Sequence, residues 1–102
     1  DGVVLTASIL SDDKQRPVPA MPLEHIKVPV LVVHHQQDGC SYCAYSEIPN
    51  LMAKLTHTPR SHLITATGGK SQGDACAAFA HHGFNGLEAD VVGQMADWIL
   101  AP

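Results

Sequence analysis

The stretch from Val28 to Cys43 constrains the fold more than any other part of this 102-residue chain. It begins as an apolar run rich in β-branched residues, Val28–Val33, and ends in polar residues, a glycine and two cysteines. Such a short run is typical of a strand buried on both faces of a parallel sheet. In these sheets the chemistry lies just beyond the carboxyl ends of the strands. Asp38, Cys40 and Cys43 therefore stand where an α/β protein carries its functional groups.

Two further strands are predicted beside this central strand. The first is Val3–Ala7 and the third is Ser61–Thr67, which ends at a Gly-Gly pair. The connection Ser11–Pro22 between the first two strands contains three prolines, which exclude a regular helix there. A first helix is expected after Cys43, with Ser46 as its cap. Its apolar face is formed by Ile48, Leu51, Met52 and Leu55.

The last helix has the clearest signals. Asn85 and Glu88 have the spacing of a capping box, and the apolar residues that follow recur on one helix face. These residues are Leu87, Val91, Met95 and Trp98 or Ile99. The resulting order of strand, connection, strand, helix, strand and helix favours parallel strands joined by crossover helices. We therefore predict an α/β fold in three layers, with helices packed on a mostly parallel sheet of about three strands, in one domain, residues 1–102.

Composition and spacing exclude several classes of function. The net charge of −4 lacks the basic face that nucleic acids require, and no apolar run is long enough to span a membrane. The histidine pairs His34-His35 and His81-His82 do not have metal-ligand spacing, and Cys40-x-x-Cys43 has no second motif of that kind. The spacing therefore predicts no metal site, and no cofactor is implied.

Asp38 and His82 form the first candidate site. Each follows a predicted strand and each precedes a glycine, so both are expected in turns at the same edge of the sheet. A carboxylate that holds an imidazole in its working tautomer needs this placement.

Several of these segments together resemble the C-terminal third of an α/β-hydrolase. In that family the triad runs nucleophile, acid, histidine along the chain. The stretch from Val28 to Asp38 is similar to the family's acid strand, and His82-Gly83-Phe84 with the helix behind it is similar to the histidine turn. The resemblance implies that Asp38 orients His82, and that His82 activates a serine that attacks an ester or related acyl bond of a small-molecule substrate.

The nucleophile elbow of that family is missing. It is expected upstream of Asp1, which is not a methionine, so we interpret the chain as a C-terminal fragment that is inactive in isolation. Ser71 lies in a G-x-S-x-G string, but this string follows Asp38 and is therefore in the wrong order. His81 competes with His82, but the family pattern places the catalytic imidazole directly before Gly-Phe.

The resemblance also implies roles for the cysteines and for the first strand. A Cys40–Cys76 disulfide would join the two catalytic loops, leave Cys43 free and imply a periplasmic or secreted protein. The Val3–Ala7 edge strand would pair with the missing N-terminal part or with a second copy of the chain.

Two alternatives from other classes stay open. Cys40-x-x-Cys43 between a strand and a helix is similar to a thioredoxin-like site, which would pair Cys40 with Cys43. Against this, no proline occurs from Ser61 to Ala101 to form the family's cis-proline loop, and Gly39 replaces the usual tryptophan. The third reading is a non-catalytic α/β binding module.

Overall fold

A computed structural model describes residues 1–12 and 17–101. In this part of the chain the three strands are β1 (Val3–Thr6), β2 (Val30–His35) and β3 (Ser61–Ala66), and the two α-helices are α1 (Ile48–Ala53) and α2 (Glu88–Leu100). Their order along the chain is the predicted one. Residues 13–16 of the predicted irregular connection lie outside the described residues, and its described end contains only a short 3₁₀ turn, Val18–Ala20.

The three strands form one parallel sheet in the order β1-β2-β3. Val3 is in register with Val30, and Val30 is in register with Ser61. The predicted parallel sheet is therefore confirmed. Because consecutive strands are neighbours and parallel, their carboxyl ends lie along one edge, and the segments that follow β2 and β3 begin at that edge.

The central strand β2 is buried at all six positions because helices cover both faces of the sheet. On one face Val30 and Val32 pack with Ile48 and Leu51 of α1. On the other face the alternate residues of β2 pack with α2; this second cluster contains Leu31, Val33, Ile64, Ala66 and Val91. Burial on two sides explains why the strand reads as a continuous apolar run. No helix in the described residues has the length and apolar character needed to cross a bilayer.

The predicted capping residues are wrong at both helices. Asn85 donates its side-chain N–H to the carbonyl of Phe79 instead of capping α2, which begins three residues later, at Glu88. The chain first makes a turn in which Phe84 (φ 59°) and Gly86 (φ 82°) are left-handed, and this delays the helix. At α1 a 3₁₀ turn, Tyr45–Glu47, takes up the residues around Ser46, so that α1 begins only at Ile48.

Candidate functional site

The fold places Asp38 in a tight turn just beyond the carboxyl end of β2. Gln36 continues the sheet ladder by donating its N–H to the Ala66 carbonyl, and the Asp38 N–H then bonds the His35 carbonyl at 3.2 Å. The Asp38 side chain is fully buried. Its Oδ1 accepts the backbone N–H of Cys40 at 2.9 Å, which is the Asx-turn expected of Asp before Gly.

His82 lies in a 3₁₀ turn, His81–Gly83, that precedes α2. The Gly83 N–H bonds the Ala80 carbonyl, and the Phe84 N–H bonds the His81 carbonyl. A Cβ atom at Gly83 would overlap the backbone carbonyl of Ala78, so only glycine fits directly after His82. The turn thus owes its shape to the close approach of two backbone segments.

The two turns meet, and Asp38 Oδ2 lies 2.8 Å from His82 Nδ1 although the residues are 44 positions apart. The carboxylate can only accept, so we assign the proton to Nδ1. That tautomer leaves Nε2 of His82 unprotonated and able to accept a proton. The His82 side chain is 20% exposed, whereas that of Asp38 is 0% exposed. The geometry is that of an acid–histidine pair, and its catalytic role stays a prediction.

A disulfide between Cys40 and Cys76 joins the same two loops. This pairing confirms the disulfide that the hydrolase resemblance implies, and the alternative bond between Cys40 and Cys43 is not formed. Cys43 is a free, buried thiol.

The pKa of the Cys43 thiol is shifted in the direction opposite to that of a reactive thiol. Burial, and secondly the negative charge of Asp38, raise the pKa of the Cys43 thiol to about 11. A redox-active CxxC motif depends on a lowered thiol pKa. The surroundings of Cys43 therefore do not favour the thioredoxin-like alternative.

Sequence reasoning missed two buried histidines at the end of β2. The Nε2–H of His34 donates to the Cys43 carbonyl at 2.6 Å, and the same nitrogen lies 3.5 Å from Asp38 Oδ2. His35 accepts the Gln37 N–H at Nδ1 and donates from Nε2 to the Gly68 carbonyl. The signal was present in the sequence, since His34-His35 continues the buried strand directly into the Asp38 turn.

His81 and Ser71, the rivals weighed from the sequence, have other surroundings. The His81 ring stacks on His35 with 4.3 Å between centroids, and its Nδ1 is buried without a hydrogen-bond partner among the described residues. Ser71 is exposed. Within residues 1–12 and 17–101, no serine hydroxyl forms a hydrogen bond with His82.

Three of these residues also have metal-ligating atoms close together. One ligand atom each from Cys40, Cys43 and His82 lie within 4.8 Å of one another. Cys40 is held in the disulfide, so this set offers three free ligands only when that bond is reduced.

Comparison with models of known families, with curated proteins and with solved structures finds no match to this chain. The case for a function therefore depends on the geometry of Asp38, His82 and their surroundings.

Proposed function

We propose that this chain supplies the acid and the histidine of a Ser-His-Asp triad in a hydrolase of the α/β-hydrolase type that cleaves an ester or related acyl bond. The observation that carries the proposal is the 2.8 Å contact between the buried Asp38 carboxylate and Nδ1 of His82. Both residues follow parallel strands, in the chain order acid then histidine that the family uses.

Each atom of the pair has a defined task in this mechanism. Asp38 accepts the hydrogen bond that Nδ1–H of His82 donates, and so fixes the ring in the tautomer whose Nε2 is a base. His82 Nε2 removes the proton from the attacking hydroxyl and later returns it to the leaving group. The Asp38 carboxylate stabilises the imidazolium that forms in between, and the complete burial of its side chain strengthens this interaction.

The nucleophile in this proposal comes from a segment other than the described residues. The free edge of β1 is the surface to which that segment would attach. Val3 and Ala7 donate their N–H groups to the carbonyls of Pro29 and Val33. The alternate residues Val4 and Thr6 therefore direct their backbone groups away from β2. A groove of about 460 Å³ lies beside this edge; its apolar lining includes Val3, Val4, Pro29, Trp98 and Ile99.

The proposal is tested by turnover of a series of p-nitrophenyl acyl esters by the protein that carries this chain. Asp38→Asn keeps the size of the side chain but permits the wrong histidine tautomer, and His82→Gln removes the base. We expect either change to lower kcat by at least about 10³-fold with little change in KM, because both groups act mainly in the transition state.

His25→Gln is the matched control, because its side chain is 79% exposed and lies outside the pair. It should retain wild-type kcat. Wild-type turnover by Asp38→Asn and His82→Gln, with normal urea unfolding, would refute the triad and favour the non-catalytic binding module.

The chain by itself offers a second test. A serine-reactive fluorophosphonate should leave residues 1–102 unlabelled, because the described residues place no serine hydroxyl against His82. Labelling at Ser71, detected by mass spectrometry of the digested chain, would contradict the assignment of the nucleophile to another segment.

A further inference from the structure

We propose that reduction of the Cys40–Cys76 disulfide turns the two joined loops into a site for one Zn²⁺ ion, with Cys40, Cys43, Cys76 and His82 as ligands. The site goes beyond the proposed hydrolase function and does not depend on it. It unites Cys43, which neither the disulfide nor the acid–histidine pair uses, with Cys40 and His82, whose ligand atoms lie near its own, and with Cys76, the disulfide partner of Cys40.

The donor atoms have nearly the spacing that a tetrahedral site requires. Zn–S and Zn–N bonds of about 2.3 and 2.0 Å place neighbouring ligand atoms roughly 3.5–3.8 Å apart. The ligand atoms of Cys40, Cys43 and His82 already lie within 4.8 Å of one another. Inward movements of about 1 Å would bring one ligand atom of each residue to that spacing, and for His82 the proposal requires this atom to be Nε2. Cys76, bonded to Cys40 in the oxidised chain, is the thiol that we assign to the fourth position.

Asp38 prepares His82 for this role. A metal-ligating histidine almost always donates its other ring N–H to a carboxylate or carbonyl, which fixes its tautomer and orientation. His82 Nδ1 already makes this bond to the buried Asp38, so the lone pair of Nε2 is the one available for a cation.

The steps balance with a dithiol as the reductant. The dithiol is oxidised to its own disulfide as the Cys40–Cys76 bond gains two electrons and two protons and becomes two thiols. Zn²⁺ then displaces three protons, one from each thiol, and these pass to the buffer. The cation stabilises the thiolates that burial disfavours, so its charge reverses the local electrostatics around Cys43.

If the proposed function holds, occupancy of this site prevents hydrolysis. The lone pair of His82 Nε2 cannot both coordinate a cation and accept the proton of a nucleophile. The oxidised chain would then be the catalytically competent form, and the reduced, metal-bound chain the inactive one.

Co²⁺ titration of the chain tests the site without any substrate. The chain is reduced with dithiothreitol, freed of the reductant under anaerobic conditions and titrated with CoCl₂. We expect one equivalent to bind with intense tetrahedral d–d bands and a thiolate-to-cobalt charge-transfer band, which excess Zn²⁺ abolishes. The oxidised chain should show neither band.

Ligand variants distinguish this site from a loose complex with the CxxC motif alone. Cys43→Ala should lower the charge-transfer intensity by about a third, since it removes one of three thiolates. Cys43→Ala and His82→Ala should each weaken Co²⁺ binding at least about tenfold. Even the mutation of a residue that only hydrogen-bonds to a metal ligand typically lowers metal affinity by that factor. His25→Ala, an exposed histidine, should bind as the wild type does.

Every outcome decides the proposal. Octahedral spectra in the reduced chain, or wild-type binding by either Cys43→Ala or His82→Ala, would overturn it. If reduction unfolds the chain, far-ultraviolet circular dichroism should show refolding when Co²⁺ is added, because the ion binds the folded state. A chain that stays unfolded with Co²⁺ also overturns the site. None of these results bears on ester hydrolysis by the oxidised protein.

Discussion

Removal of the Cys40–Cys76 disulfide is the perturbation whose effect the structure predicts most directly. The bond closes a loop with a sequence separation of 36 residues. In the chain-entropy model, a loop of this length stabilises the folded state by about 4 kcal/mol. Cys40 is also buried, so the double variant Cys40→Ala/Cys76→Ala loses about 1 kcal/mol more in packing. A loss of this size is a large part of the stability of a domain this small.

Urea unfolding monitored by circular dichroism measures this loss. With an m-value of about 1.5 kcal/mol/M, the double variant should unfold roughly 3 M earlier than the oxidised wild type. The wild type reduced by dithiothreitol, without metal, should show a similar shift. The His82 Nδ1 proton, seen by NMR as a hydrogen-bonded imidazole resonance, should broaden or disappear, because nothing covalent then holds the two turns together.

Cys43→Ala is the matched control for this experiment, because it removes a buried thiol and leaves the disulfide intact. It should lose only the packing contribution and should keep the His82 resonance. A double variant that unfolds within about 1 kcal/mol of the wild type would refute the reasoning, since the chain-entropy contribution alone exceeds that. An unchanged His82 resonance would show that the turns are held by their other contacts.

Two further predictions concern single positions. Gly83→Ala forces a methyl group against the Ala78 carbonyl and should lower the free energy of unfolding in urea by about 1–3 kcal/mol. Gly93→Ala is the control: it lies in α2 with nothing near its Cβ, and it should raise the free energy of unfolding by about 0.5–1 kcal/mol. Equal effects of the two changes would contradict the close approach of Gly83 to Ala78. Folding raises the pKa of the Cys43 thiol to about 11, so between about pH 9 and 11 the folded chain keeps a proton that the unfolded chain has lost. The free energy of unfolding should therefore be constant below about pH 9 and fall by of order 2 kcal/mol as the pH rises to 11. Unfolding at pH 8–11 should show this decline in the wild type and not in Cys43→Ala; parallel curves would refute it.

The central strand and the sheet could be predicted because one physical signal determined them. A continuous β-branched run has to be buried on both faces, and the long connections between the strands leave room for the crossovers that parallel neighbours require. The meeting of Asp38 and His82 follows from the same logic, since the segments after parallel strands begin at one edge of the sheet. The placement of this pair therefore depended on topology more than on local sequence.

The capping residues and the buried histidines could not be predicted in this way. Asn85 was expected at the start of α2, but its amide bonds Phe79 because a left-handed turn intervenes. The 3₁₀ turn before it, His81–Gly83, needs a close backbone approach between Gly83 and Ala78, which no periodicity reveals. His34 is polar at the end of an apolar strand, and its partner is a carbonyl nine residues away in a loop. Such tertiary contacts override local propensity.

Three contacts hold the Asp38 and His82 turns together in addition to the pairing of the strands. The disulfide and the Asp38–His82 hydrogen bond join the segment after β2 to the segment before α2. The stacking of His81 on His35, the last residue of β2, is a third contact. The Asp38–His82 hydrogen bond costs stability, because the fully buried Asp38 carboxylate loses its hydration. Apolar residues in place of a buried polar pair are often neutral or stabilising. A chain selected only for folding would gain little from that pair. The cost is understandable if the Asp38–His82 geometry serves chemistry, and the disulfide beside it then fixes the distance on which that chemistry depends.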